Sequence, residues 1–161
     1  MRRSPRALLA CALLGSACVS VSESPAPPPV STPLTPVYAT SPSTESLALP
    51  FSEAVRVGDL LFVSGQIGNL PGTFELAPGG IQAETKQALA NIAAILERNG
   101  SSLERVAKCT VFLLDMNEWP ALNEIWVTVF PNKPARSALG ASGLAKGARV
   151  EIECIAASDA G

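Results

Sequence analysis

The chain of 161 residues contains no histidine. That removes the commonest general base near neutral pH, the commonest metal ligand, and every Ser–His or Cys–His catalytic pair. Cysteine is scarce: Cys11, Cys18, Cys109 and Cys154 show no C-x-x-C spacing, which argues against a zinc site. Positive charge is also in short supply. The formal net charge is −2, and without residues 1–18 nine basic residues face 14 acidic ones. Such an acidic body lacks the basic footprint of a nucleic-acid binder, and it argues against ribonuclease chemistry. No apolar run is long enough to cross a bilayer as a helix. What the chain does have is 47 % apolar residues, enough for one domain with a real core.

The first 18 residues read as an address. Arg2, Arg3 and Arg6 form a positive start, Ala7 to Leu14 a short apolar stretch, and Gly15, Ser16 and Ala17 a small-residue site before Cys18. This order is that of a secretory signal. A cysteine in that place resembles a bacterial lipoprotein signal, which would make Cys18 the lipid attachment site. Cleavage near Cys18 without lipid uses the same signal. Either way the chain is expected to be exported, as a membrane-anchored lipoprotein or a periplasmic protein. Residues 19–44 are rich in Pro, Ser and Thr and read as an extended tether, because closely spaced prolines block helix and sheet.

The domain is expected over residues 45–161. Phe51–Val57 and Leu60–Ser64 read as strands joined at Gly58-Asp59, and the unbroken apolar run Leu60 to Val63 suits a strand covered on both faces. A loop is expected from Gly65 to Gly80. Ile81–Asn99 has the three- and four-residue apolar recurrence of a helix, with Glu84 off its apolar face and Gly100 as its stop. Val106–Leu114 reads as a strand. Trp119–Phe130 reads as a helix with Trp119, Leu122, Trp126 and Val129 on its apolar face and Asn117 as its cap. Two strands follow, Ala135–Leu139 and Ala148–Ala156. In the second, Glu151 and Glu153 alternate with Val150, Ile152 and Cys154. The order β-β-α-β-α-β-β gives an α+β domain with two helices on one face of a mixed sheet. Cys109 and Cys154 lie in expected strands; buried free thiols are the default, and a disulfide requires that the two strands be neighbours.

Five stretches carry a resemblance: PFSEAV at 50–55, LFVSGQIG at 61–68, TVFLLDMNEW at 110–119, NKPARSAL at 132–139 and KGARVEIECIA at 146–156. Together, in this order, they resemble the RidA (YjgF) family, whose fold is chorismate-mutase-like. The resemblance implies homotrimers with clefts between subunits. It also implies cofactor-independent hydrolysis of 2-aminoacrylate-type enamines and imines to 2-keto acids and ammonia. By the same resemblance Arg136 binds the substrate carboxylate, a task suited to its planar fork of donors. Glu151 activates the attacking water, with Ser64 as a second catalytic group donating its hydroxyl. Gly65 lets backbone approach the ligand, and Phe51 and Asn117 complete the substrate site. Gln66 and Glu153 have plainer readings, as turn and strand-face residues.

Two departures stand out. Phe51 replaces the tyrosine of the best-known members, and Ala138 replaces a cysteine common in the family. These departures, and export itself, also fit a second reading: a non-catalytic trimeric module that binds small carboxylates outside the cytoplasm.

Overall fold

Alternating apolar and acidic residues at the end of the chain form the central strand of the molecule. The computed structural model describes residues 34–158, so the signal, Cys18 and most of the tether lie outside the described residues. Six strands form one sheet: β1 (Val37–Ala39), β2 (Ala54–Val57), β3 (Leu60–Ile67), β4 (Val106–Leu113), β5 (Ala135–Gly140) and β6 (Val150–Ala157). Their spatial order is β1-β2-β3-β6-β4-β5. Only β4 and β5 run parallel. A parallel pair needs a crossover, and helix α3 (Trp119–Val129) supplies it.

Helix α2 (Gly80–Arg98) packs with α3 on one sheet face. The buried set contains Leu89, Ile92 and Leu96 of α2, Leu122 and Trp126 of α3, and Val111, Val150 and Ile152 of the sheet. The end of α2 is a Schellman motif: Gly100 at φ +72° donates to the Glu97 carbonyl, and the N–H of Ser101 reaches Leu96. This is the expected α+β architecture with both helices on one face.

Four details differ from expectation. The last residues of the tether are folded: β1 pairs with β2, and a short helix α1 runs from Pro42 to Ser46. Proline is harmless at the first position of a helix, where its missing N–H would have no partner anyway. The segment is fastened by Glu53, 3 % exposed, which accepts from Ser41 Oγ, Thr44 Oγ1 and the Arg98 guanidinium. Strand β3 continues through Ser64-Gly65-Gln66 to Ile67, with a register shift between Val63 and Gln66, where a loop was expected. Leu60 and Phe62 are exposed on that strand while Leu61 and Val63 are buried, so the single chain covers only one face of it. Finally, Glu84 is 5 % exposed and accepts from the Arg149 backbone N–H at 2.8 Å. Helical periodicity alone cannot reveal such an acceptor role.

Candidate functional site

Strands β3 and β6 bring Gly65 against Glu151. A methyl group at Gly65 would lie 2.1 Å from Glu151 Oε1 and 2.9 Å from its carboxyl carbon. Gly65 is therefore the floor on which the carboxylate rests, where the sequence suggested ligand approach. Burial, and after it the nearby charge of Glu153, pushes the Glu151 carboxyl above its usual range.

Glu151 looks into a cavity of about 500 Å³ lined also by Phe51, Gly65, Gln66, Asn91 and Lys146. That volume suits a small molecule. The Phe51 ring is half exposed and contributes only an apolar wall. Lys146, part of that lining, has its Nζ 4.3 Å from the Phe74 ring centre.

Ser64 is placed differently from expectation. Its Oγ donates to the Ser52 carbonyl at 2.7 Å, and its N–H donates to the Glu53 carbonyl. The hydroxyl proton is thus committed to the loop that carries Phe51, and only its lone pairs remain for a ligand. Gln66 donates to the carbonyls of Ser64 and Gly65, as plain local bonding requires.

Arg136 lies elsewhere. It sits on edge strand β5, in register with Cys109 of β4, which in turn faces Cys154 of β6. Its guanidinium carbon is 4.7 Å from the Trp126 ring centre and 5.9 Å from that of Trp119. Nη1 is buried with no hydrogen-bond partner. Burial lowers the pKa of the group from its ordinary value. Side chains alternate along a strand, so Arg136 shares the helix-covered face with Cys154, whereas Glu151 points to the opposite face. Within one chain, then, the arginine and the acid do not meet.

Asn117 is not the cap of α3. It lies in the turn Met116–Glu118, and its N–H and side-chain amide both donate to Asp115, which caps that turn. Pro120 near the start of α3 removes a donor that would otherwise want a cap. Asn117 remains exposed. Next to it, Glu118 forms a bidentate ion pair with Arg149.

The two buried cysteines are not free thiols. Cys109 and Cys154 are directly opposed across β4 and β6, their Cα atoms 4.1 Å apart, and form a disulfide.

No signal in the sequence places the tryptophans beside Arg136. Their seven-residue spacing predicts a core stripe. It also puts both rings on one helix face, two turns apart, where the edge strand passes.

Residues 43–158 match the endoribonuclease L-PSP family. The chain belongs to this family. Among its relatives, a mouse protein named 2-iminobutanoate/2-iminopropanoate deaminase is 45 % identical over 108 residues, covering 66 % of this chain and 80 % of the mouse protein. The crystal structure of RidA from an Antarctic Psychrobacter is 38 % identical with a TM-score of 0.66, covering 74 % of this chain and 93 % of that one. Escherichia coli TdcF with bound serine is 30 % identical with a TM-score of 0.65, covering 76 % and 94 %. These likenesses agree with the fold and with the RidA resemblance carried by the five stretches.

Proposed function

We propose that this protein hydrolyses 2-imino acids to 2-keto acids and ammonia, as a homotrimer outside the cytoplasm. The observation that carries the reading is Arg136: a part-buried guanidinium that lies against two indole rings and has no acid partner among the described residues. Such a group is preorganised for a carboxylate. The named activity of the mouse relative fits that chemistry.

Arg136 and Glu151 occupy opposite sheet faces, so a working site needs the arginine of one subunit and the acid of another. The uncovered face supports such assembly, since Leu60, Phe62 and Leu139 lie exposed on the sheet. In the assembled site the substrate carboxylate binds Arg136 and its C=N carbon faces Glu151. Water adds to that carbon as Glu151 takes one of its protons, and the C=N electrons move to nitrogen. Glu151 returns that proton to nitrogen, giving a carbinolamine; it then takes the hydroxyl proton and passes it to nitrogen as the oxygen electrons form the carbonyl, the C–N bond breaks, and ammonia leaves a 2-keto acid. A carboxyl with a raised pKa suits this two-way proton transfer.

Export and lipidation at Cys18 rest on the N-terminal sequence. The Cys109–Cys154 disulfide supports export, because such bonds persist in oxidising compartments. The commitment of the Ser64 hydroxyl to Ser52 favours a second reading, a binding module without turnover.

The test is a coupled assay on the purified chain. An amino-acid oxidase generates imines in situ and semicarbazide traps whatever survives. Wild type is expected to suppress the semicarbazone signal, and Arg136→Ala is expected to lose that effect while keeping its oligomeric state. Binding of 2-keto acids without any suppression would instead support the binding module.

A further inference from the structure

Arg136 is held differently from two other arginines of the folded domain. Arg98 is paired with Glu53, and Arg149 with Glu118. Arg136 has no acid partner and no hydrogen bond to the rest of the chain among the described residues; its neighbours are two indole rings. Carboxylate pairing neutralises a guanidinium and occupies its donors. An aromatic face does neither: it attracts the cation through the ring quadrupole and leaves the N–H edge free.

We propose that Trp126, with Trp119 as its outer companion, is the positioning element for Arg136, holding the guanidinium by its flat face so that full charge and a free donor edge are presented to one carboxylate ligand. This rests on the reading of Arg136 as the carboxylate site. Trp126 is the fixed wall. It is 6 % exposed, and its ring lies 4.6 Å from that of Phe130, which closes the core behind it. Trp119 is 37 % exposed and stands at the first residue of α3, so it forms the wall nearer solvent. Strand β5 fixes the Cα of Arg136 at the sheet edge, but a long side chain at an edge has several rotamers open to it. The two rings reduce that choice before any ligand arrives.

The clamp has a built-in reporter. The chain contains two tryptophans, and both lie against Arg136. Titration of the full chain with 2-oxobutanoate is expected to give a saturable change in tryptophan emission. The neutral ketone 2-butanone is expected to give none. Trp126→Leu should weaken 2-oxobutanoate binding roughly tenfold and Trp119→Leu about threefold, the range of a cation–π contact in a partly desolvated site. Trp126→Phe, which keeps a ring, should recover most of the loss. In the imine assay the same variants should raise KM more than they lower kcat. A role confined to core packing would instead lower the melting temperature and leave the 2-oxobutanoate affinity of the folded fraction unchanged. Trp119→Leu guards against misfolding, since its ring is not core.

Two failures are distinguishable. If wild type binds 2-oxobutanoate and both leucine variants bind it equally well, the clamp is wrong and the carboxylate site stands. If wild type neither binds 2-oxobutanoate nor turns over imines, the functional reading falls and takes the clamp with it.

Discussion

Removing the disulfide is expected to lower stability by a calculable amount. Cys109 and Cys154 are 45 residues apart in sequence. Closing a loop of that length in the unfolded chain removes entropy equivalent to about 4 kcal/mol near 25 °C on the chain-entropy account. For a domain of this size such a loss lowers the melting temperature by roughly 10–20 °C. The assay is thermal unfolding of the protein prepared under oxidising conditions, with and without reductant, beside a Cys109→Ala/Cys154→Ala variant. Reduction isolates the bond; the double variant also leaves a small void where two buried sulfurs sat, so it should melt slightly lower still. Alkylation in denaturant counts the thiols independently. If Cys109 and Cys154 of the oxidised preparation are both alkylated without reductant, and reductant does not move the melt, the pair is not bonded. No loop would then be closed in the unfolded chain, and one support for export would be lost.

Two further outcomes follow from the site and one from the N-terminal sequence. Glu151 has a folded-state pKa raised above its unfolded one, so its ionised form opposes folding; stability falls as pH rises through the interval between the two values and regains nothing above it. Glu151→Gln should therefore melt higher than wild type at neutral pH, converge with it in acid, and lose imine hydrolysis throughout; a lower melt at neutral pH would mean that a partner's guanidinium already stabilises the carboxylate. Gly65→Ala should push Glu151 aside, because the new methyl would meet its carboxylate, and hydrolysis should fall at least tenfold (on the order of 1.4 kcal/mol of barrier) while 2-keto acid binding persists; normal turnover would show that the acid is not held in this position during the reaction. Cys18→Ser should release the protein from the membrane fraction of expressing cells, and full retention would count against a lipid anchor at that residue.

How legible all this was depends on the kind of information each feature needs. The period-two pattern of β6 and the three-to-four-residue pattern of α2 are local, and the helices and strands could be read from them. The Schellman stop at Gly100 needs only a glycine after a helical run. Glu53 and Glu84 are different. Their burial depends on Arg98 and on the Arg149 backbone, 45 and 65 residues away, and no local window contains such partners. The same holds for Ser64: its identity was evident, but the direction of its proton depends on Ser52 across the hairpin. The folded end of the tether is hidden by its prolines, which break a helix in its interior but are accepted at its start, as Pro42 is here. For Cys109 and Cys154 the sequence left the choice to strand order, and adjacency of β4 and β6 decides it.

The electrostatics of the single chain point in the same direction as its topology. Arg98 and Arg149 show that this sequence pairs a cation with an acid when the fold is all that is at stake. Glu53 shows that it can satisfy a buried carboxylate completely. Arg136 and Glu151 are given neither treatment: one faces two rings, and the other rests on a glycine beside a second acid. Both arrangements oppose folding slightly and bring no structural gain within the chain. Their benefit appears only when an outside partner brings the missing charge and donors. A 2-imino acid carries a carboxylate for the arginine and an electrophilic carbon for water activated by the acid. The sheet separates the two groups onto opposite faces, so one chain cannot serve both ends of that molecule. On the proposed function, the exposed apolar face and the incomplete site have a common physical resolution, the packing of one copy against the next.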